Sequence, residues 1–290
     1  MSYSQNKVTV VVPTYKRAHL LHTTIPSYLQ PEVEQLILVD DCSPDDTGVV
    51  AQQLIQKYPQ ITYIRNAVNS KQTASKNRGK ALAHTEYLYF GDDDSILSEG
   101  AIGLLLQTAK ENAADIVGAS ALYLRDGEDD FSGVMGRRKL IKNANEIADL
   151  SRLQFDFSAV TDQPMELPVC HASFLIRADA ARSVDFDIGY IGNCYREETD
   201  YLVRCRAAGM KVLYDSRAVQ INLPPAKATG GARGRGRLSY EGYALYNTMR
   251  FAVKNRKALR RVDPRCHPAK MVVCYLEGRV RAAMLRMKVT

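Results

Sequence analysis

Short apolar runs alternate with helix-compatible segments over the first 120 residues, and this alternation restricts the fold more than any other feature of the chain. Four runs rich in β-branched and aromatic residues are typical of buried strands: 8–12, 36–39, 61–64 and 87–90. Three segments between them have the apolar spacing of helices, although Pro26 fits the first one poorly: 18–29, 45–58 and 73–84. The alternation predicts an α/β fold whose mostly parallel sheet is covered by helices on both faces.

The rest of the chain continues this pattern less regularly. We predict further strands at 115–118, 169–176 and 211–214, and further helices at 99–111, 197–208, 240–259 and 269–287. Residues 125–165 are polar and are expected to form an insertion. The last two helices are expected to form a basic helical extension at the C-terminus.

The composition is that of an ordinary globular protein. Of the 290 residues, 46% are apolar and 24% are charged, which suffices for a large core. No run approaches the roughly 20 apolar residues that cross a bilayer, and residues 1–7 lack the apolar centre of a secretory signal, so we expect a cytoplasmic location. The cysteines form no C-x-x-C pair, which argues against structural zinc and disulfides: Cys42, Cys170, Cys194, Cys205, Cys266 and Cys274.

The net charge of +7 is unevenly distributed along the chain. Residues 1–226 carry 23 Lys and Arg against 29 Asp and Glu, whereas residues 227–290 carry 16 against 3. This change predicts a domain boundary near Pro224 and Pro225, which divides the chain into 1–225 and 226–290. A strongly basic tail favours an anionic partner, such as a membrane surface, a nucleic acid or a phosphorylated ligand.

Polar and acidic residues follow three of the predicted strands. They are Thr14 to Arg17 after the first strand, Asp40 and Asp41 after the second, and Asp92 to Asp94 after the fourth. Ligands of such sheets bind at the carboxyl ends of the strands, so these residues predict one site. Three consecutive carboxylates repel one another unless a cation neutralises them, and oxygen ligands favour Mg²⁺ or Mn²⁺ over zinc.

Five segments in this order and spacing resemble family 2 glycosyltransferases of the GT-A (Rossmann-like) fold, which are inverting enzymes that use nucleotide sugars. The segments are 10–17 (VVVPTYKR), 39–47 (VDDCSPDDT), 76–79 (KNRG), 86–94 (EYLYFGDDD) and 197–200 (EETD). The resemblance spans roughly residues 8–222. It implies that residues 1–225 form the nucleotide-sugar-binding catalytic domain.

The resemblance implies which residues bind the nucleotide. They would be Pro13, Thr14, Tyr15, Arg17, Asp41, Lys71, Lys76, Asp92 and Asp93, with the two lysines directed toward the phosphates. The proposed role of Asp41 is chemically reasonable, since a carboxylate can accept the imino N–H of uracil or thymine, which cytosine lacks. Tyr15 offers a face on which a base can stack.

The resemblance also implies a metal site and a catalytic base. Asp94 would contact a divalent cation, and Asn222 stands where many relatives have a histidine ligand. Glu198 would be the base that deprotonates the acceptor hydroxyl. Relatives more often have Asp at that position, so Glu197 is the second choice. We expect the histidines to be structural or surface residues, with His171 as the exception because its strand would pass the acceptor side.

Two interpretations apply to the basic tail. Arg233, Arg235 and Arg237 lie on a Gly-rich loop that would act as a lid over the diphosphate, while an RGG-like contact with nucleic acid is the less favoured alternative. The helix at 269–287 is basic and amphipathic. It would contact an anionic membrane peripherally, from the inner face, or pack on the catalytic domain with its cations in water.

The sequence therefore predicts a metal-dependent, inverting glycosyltransferase that moves a sugar from a nucleoside diphosphate, UDP first and dTDP or GDP next, to a hydroxyl acceptor. A glycan on a lipid carrier, a cell-surface polysaccharide and a small natural product are all compatible acceptors. A nucleotidyltransferase is one alternative, but the loop at 12–17 has no glycine. A non-catalytic nucleic-acid-binding protein that uses the basic tail is the other.

Overall fold

The computed structural model describes residues 4–128, 131–231 and 236–287. The strands are β1 (Ser4–Thr14), β2 (Val33–Asp40), β3 (Ile61–Arg65), β4 (Thr85–Phe90), β5 (Ser95–Leu97), β6 (Ile116–Tyr123), β7 (Ala148–Asp149), β8 (Gln154–Phe155), β9 (Met165–Glu166), β10 (Phe174–Arg177) and β11 (Val212–Asn222). The α-helices are α1 (Ala18–Thr24), α2 (Thr47–Lys57), α3 (Lys71–Leu82), α4 (Ala101–Glu111), α5 (Phe131–Met135), α6 (Ala144–Ile147), α7 (Ala178–Ser183), α8 (Glu197–Ala207), α9 (Arg237–Lys254), α10 (Arg256–Val262) and α11 (Pro268–Met287).

Nine of the described strands form one mixed sheet, in the order β3-β2-β1-β4-β10-β6-β11-β5, with β9 paired to β11. The first four strands to enter it, β1 to β4, are mutually parallel. β10 lies antiparallel between β4 and β6, and β6 is parallel to β11. The carboxyl ends of β1, β2 and β4 therefore meet at one edge, as the sequence predicts. The sheet and its flanking helices confirm the predicted α/β class.

Successive residues of the central strands face opposite layers of the core. Val11 and Phe90 pack in one cluster with α7 and α8, while Val10, Val12 and Tyr89 pack in the other with α1, α2 and α4. Both sets are buried because helices cover both faces, and this explains why the strands are apolar without alternation.

Several element boundaries differ from the sequence prediction. The first helix ends at Thr24, and a 3₁₀ helix, Ile25–Tyr28, accommodates Pro26 in its first turn. The strand predicted at 169–176 is shorter, since only Phe174–Arg177 pairs with neighbours. The helix predicted at 240–259 breaks at Asn255, whose side-chain amide donates to Asp200 (2.6 Å).

The C-terminal helices pack onto the sheet layer and share its core. Ala244, Phe251, Leu259, Met271 and Tyr275 belong to the same buried cluster as residues of β1 and β4. None of the helices in the described ranges combines the length and apolar character needed to span a bilayer.

Candidate active site

A cleft of about 690 Å³ opens at the carboxyl ends of β1, β2 and β4. The structure brings together along this cleft nearly all of the described residues that the sequence singles out: Pro13, Thr14, Tyr15, Arg17, Asp41, Lys71, Asp92, Asp93, Asp94, Glu198 and Asn222. They come from six separate segments of the chain. Their convergence follows from the parallel arrangement, which places the ends of β1, β2 and β4 side by side.

The carboxylate of Asp41 is held rigidly at the end of β2. Its oxygens accept hydrogen bonds from the Asn66 side-chain amide (2.8 Å) and from the backbone N–H groups of Ser70 (2.7 Å) and Lys71 (2.8 Å). A carboxylate has about four acceptor positions, so these bonds leave one for a ligand. The loop after β1 lies opposite, and its Tyr15 ring lines the cleft.

The acidic triplet is fixed by a buried tyrosine. The Tyr28 hydroxyl donates to the backbone carbonyl of Asp92 (2.8 Å), and the Tyr28 ring packs so closely on Gly91 that a Cβ there would lie 2.9 Å from the ring. Glycine is therefore required before the triplet. The Asp92 carboxylate accepts from the Ser173 hydroxyl (2.9 Å).

A guanidinium neutralises the other two aspartates. The Arg17 Nη1 atom lies 2.5 Å from Asp93 Oδ1 and 2.9 Å from Asp94 Oδ2. Burial raises the pKa of Asp93, and repulsion from Asp94 adds to the rise, which Arg17 only partly offsets. An arginine from the loop after β1 therefore offsets part of the repulsion that the sequence predicts among the aspartates.

Asn222 lies beside the triplet at the end of β11. β11 pairs with β5, which starts directly after Asp94, and the backbone carbonyl of Asp94 accepts from Leu223 N–H (2.9 Å). The Asn222 side-chain amide donates to the Leu122 carbonyl (3.0 Å), so its nitrogen is already used. The amide oxygen accepts a long hydrogen bond from the Gln220 side chain (3.4 Å) and keeps a second acceptor position that Asn222 can offer to a cation.

Two adjacent glutamates at the start of α8 have opposite environments. Glu197 is fully buried, whereas 18% of the Glu198 side chain is exposed and lines the cleft. The Lys76 ammonium lies 2.8 Å from Oε1 of each. Burial, with repulsion from Glu198, raises the pKa of Glu197 well above its ordinary value despite Lys76. Burial also acts on Glu198, but Lys76 and a hydrogen bond from Glu197 outweigh it and lower the pKa of Glu198.

The two lysines that the sequence directs toward the phosphates lie in different places. Lys71 lines the cleft, and its ammonium donates to the Asn69 side chain. Lys76 is 1% exposed beneath the glutamates and is absent from the cleft lining. The structure therefore does not place Lys76 where it could reach a diphosphate, because the two carboxylates bind its ammonium inside the core.

The basic loop is described only at its start. Gly231 N–H donates to the Tyr15 carbonyl (3.1 Å). Gly230 has a φ of +86°, and it lies so near the Lys16 backbone that a Cβ would be 2.1 Å from the Lys16 carbonyl oxygen. Arg233 and Arg235 lie outside the described residues. Arg237 begins α9, and its side chain is likewise outside the description.

Several cleft residues escape the sequence reasoning. Gln72 donates to both Glu197 (2.8 Å) and Glu198 (3.2 Å) from the first turn of α3. Asn193 lies in the loop before α8 and Tyr240 lies on α9, and no motif marks either.

His171, the expected exception among the histidines, does line the cleft, and its Nε2 bonds with the Tyr123 hydroxyl (2.9 Å). Burial lowers the pKa of His171, which favours the neutral ring.

The sheet, its two helix layers and the acidic cleft define the class: an α/β protein with a ligand-binding site at the carboxyl ends of its parallel strands. Residues 9–182 match the family model described as glycosyl transferase family 2. The chain belongs to this family, which confirms the resemblance that the motifs predict.

Curated relatives share parts of the chain. It is 35% identical over 158 residues to the GalNAc(5)-diNAcBac-PP-undecaprenol beta-1,3-glucosyltransferase of Campylobacter jejuni, covering 52% of this chain and 49% of that protein. It is 32% identical over 117 residues to the poly(ribitol-phosphate) beta-N-acetylglucosaminyltransferase TarP of Staphylococcus aureus, covering 38% and 35%. The chain therefore spans about half or less of the length of these relatives.

Solved structures share the fold over most of the chain. The mannosyltransferase PcManGT from Pyrobaculum calidifontis, in complex with GDP-Man and Mn²⁺, superposes with a TM-score of 0.61 at 15% identity, covering 93% of this chain and 70% of that one. S. aureus TarS 1–349, in complex with UDP-GlcNAc, gives 0.58 at 14% identity, covering 86% and 66%. The architecture is the GT-A fold, as the resemblance predicts.

Proposed function

We propose that the protein is an inverting glycosyltransferase that moves a sugar from a nucleoside-diphosphate sugar to a hydroxyl group of an acceptor. The observation that carries the proposal is that the partly exposed carboxylate of Glu198 faces the same cleft as Asp94 and the loop after β1. A base and a diphosphate-binding edge on one cleft are what a single displacement at an anomeric carbon requires. Family membership supports this chemistry over the nucleotidyltransferase alternative.

In this proposal the loop after β1 and the end of β2 bind the nucleotide. Asp41 keeps one acceptor position for a base N–H, which favours uracil, and Tyr15 supplies a stacking face. The complexes of the similar structures with UDP-GlcNAc and GDP-Man support a nucleotide sugar as donor, with UDP as our first choice. Residues 1–225 would carry donor binding and the base, and residues 226–290 the basic loop and the helices.

The residues at the triplet fit a divalent cation. Among residues 4–128, 131–231 and 236–287, no three His, Cys, Asp or Glu side chains converge as a complete metal cluster. Mg²⁺ and Mn²⁺ sites of phosphate-handling enzymes, however, often use one or two carboxylates together with the substrate phosphates. Asp94 and the Asn222 amide oxygen would hold the ion, with Asp93 beside them. When bound, such an ion neutralises charge on the departing nucleoside diphosphate.

Glu198 would act as the general base. Its lowered pKa keeps it ionised at neutral pH, whereas burial and repulsion from Glu198 raise the pKa of Glu197. The carboxylate accepts the proton of the acceptor hydroxyl as that oxygen bonds to the anomeric carbon. The bond from the anomeric carbon to the diphosphate oxygen breaks on the opposite face, so the configuration inverts.

The acceptor is proposed to be a hydroxyl of a cell-surface glycan or glycoconjugate. The names of the C. jejuni and S. aureus relatives describe a lipid-linked oligosaccharide and poly(ribitol-phosphate) as their substrates, and this supports the class without choosing between them. A cytoplasmic location and a peripheral membrane contact of α11 stay predictions from the sequence.

A donor screen with three variants tests the proposal. Calorimetry of UDP, dTDP and GDP, each with and without Mn²⁺, identifies the base, and release of the nucleoside diphosphate from the matching sugars then measures turnover. Asp94→Asn is expected to abolish the Mn²⁺ dependence of binding. Glu198→Gln is expected to lower transfer about 10²–10⁴-fold with unchanged donor affinity, as loss of a general base does.

Glu197→Gln is the matched control, because Glu197 is adjacent in sequence but fully buried and absent from the cleft lining. It is expected to retain most of the transfer activity. Full activity in Glu198→Gln together with its loss in Glu197→Gln would show that the base is misassigned.

A further inference from the structure

Arg17 binds the two aspartates at the proposed metal site. A single guanidinium nitrogen, Nη1, contacts both Asp93 Oδ1 (2.5 Å) and Asp94 Oδ2 (2.9 Å), and the three side chains are only 9–13% exposed. The guanidinium therefore forms ion pairs with two carboxylates that are adjacent in sequence, and Asp94 is the proposed metal ligand. Because solvent hardly screens these charges, the contacts are strong.

The guanidinium is also enclosed by the start of the basic loop. Gly231 packs against it so closely that a Cβ there would lie 3.1 Å from the Arg17 Nη2 atom. The Arg17 Nε atom is buried without a hydrogen-bond partner among the described residues. A buried donor with no acceptor costs free energy, so the contacts with the two carboxylates must compensate for it. Arg17 is thus held at the aspartates in a conformation that leaves one of its own donors unused.

A guanidinium and a divalent ion cannot neutralise the same carboxylate oxygens at once without strong repulsion between them. Asp92, Asp93 and Asp94 together carry up to three negative charges at the end of β4, and the donor diphosphate adds more. The charges are best balanced when the divalent ion binds the aspartates and the guanidinium binds phosphate oxygens. The planar guanidinium can bind two phosphate oxygens at once.

We propose that Arg17 is a resident counter-cation that holds Asp93 and Asp94 before substrate arrives, competes with the divalent ion for them, and moves to the donor diphosphate when ion and donor bind together. This inference rests on the proposed function for the identity of the donor. It makes Arg17 a positioning residue that couples the two binding events. The ion then binds weakly alone and tightly with a nucleoside diphosphate.

Mn²⁺ binding without any sugar donor tests the exchange. Free Mn²⁺ is measured by electron paramagnetic resonance in titrations of the full chain at pH 8, with and without UDP. Arg17→Gln is expected to bind Mn²⁺ alone about 10-fold more tightly than the wild type, a coupling of ordinary size for linked sites. The enhancement of Mn²⁺ affinity by UDP is expected to shrink in this variant, whereas Arg17→Lys, which keeps the charge, stays within about threefold of the wild type.

Arg152→Gln, an exposed arginine outside the cleft, is the matched control and is expected to leave both affinities unchanged. Asp94→Asn is expected to lose Mn²⁺ binding in either background. Arg17→Met, which keeps the buried stem, replaces Arg17→Gln if the latter does not fold by circular dichroism. Equal or weaker Mn²⁺ binding in the folded charge-removing variant, Arg17→Gln or Arg17→Met, overturns the exchange. This readout is independent of sugar transfer, whose absence with every donor would instead contradict the proposed function.

Discussion

At the scale of single residues, the most unusual feature is the buried Lys76 between two glutamates. Burial alone would lower the pKa of Lys76, but Glu197 and Glu198, each 2.8 Å away, raise it above the ordinary value. The lysine therefore stays charged inside the core. Its charge lowers the pKa of both glutamates, while burial and repulsion from Glu198 still raise the pKa of Glu197.

Lys76→Met is expected to raise the pKa of Glu198, because the opposite charge that lowers it is removed. The base must be ionised to act, so the acid limb of the pH profile of kcat/KM should move to higher pH by about 1–3 units. The measurement is transfer between pH 5 and 9. Lys71→Met removes a charge from the cleft lining and should change the KM for donor while leaving the acid limb in place. An unmoved acid limb in Lys76→Met would contradict the positioning role.

At the scale of elements, α8 is anchored to the C-terminal helices through one buried carboxylate. Asp200 is fully buried and accepts from the Tyr190 hydroxyl (3.1 Å), Lys254 (2.7 Å) and the Asn255 amide (2.6 Å), while Arg204 binds its other oxygen (2.7 Å). Glu198, the proposed general base, and Asp200 are two residues apart on the same helix. The anchor therefore stabilises the turn that presents Glu198.

Asp200→Ala is expected to lower the free energy of unfolding by about 3 kcal/mol, at the low end for a broken buried ion pair because Lys254 and Arg204 partly reach water. The midpoint of urea unfolding, followed by circular dichroism, measures it. Asp162→Ala breaks an exposed pair with Lys142 and should cost no more than about 1 kcal/mol. A loss of similar size in both variants would argue against the anchor.

At the scale of the whole molecule, the C-terminal helices complete the fold and one wall of the cleft. Phe251 and Met271 share the core of the sheet layer. The side chain of Asn247 bonds with both the N–H and the carbonyl of Ile191, and the Tyr240 carbonyl accepts from Asn193, which lines the cleft. The predicted division at residue 225 thus follows the charge of the chain, while the apolar core crosses it.

A chain that ends at Ala228 is expected to lose fixed tertiary packing, because the core side chains beneath α9 to α11 become exposed. Loss of near-ultraviolet circular dichroism and a rise in binding of a hydrophobic dye measure this. A chain that ends at Met287 keeps the described helices and should behave like the full chain. A native spectrum for the shorter chain would show that residues 1–228 fold alone.

Much of the fold and of the candidate site could be predicted from local patterns. The central strands are apolar on both faces and the helices between them are amphipathic, so the parallel sheet follows from the chain order. Because such strands end at one edge, the residues that follow them, Thr14 to Arg17, Asp41 and Asp92 to Asp94, could be assigned to one cleft. These predictions depend only on neighbours in sequence and on the rules of parallel sheets.

The amino-acid sequence by itself determined the family, the sheet and the acidic edge. Only the tertiary structure decided which charges pair. Lys76 and Glu197 are 121 positions apart, and Arg17 and Asp93 are 76 apart, so no local pattern reports their contacts. The physical reason is that the effect of a charge depends on burial and on the partners within a few ångströms, and the folded chain supplies both from distant segments.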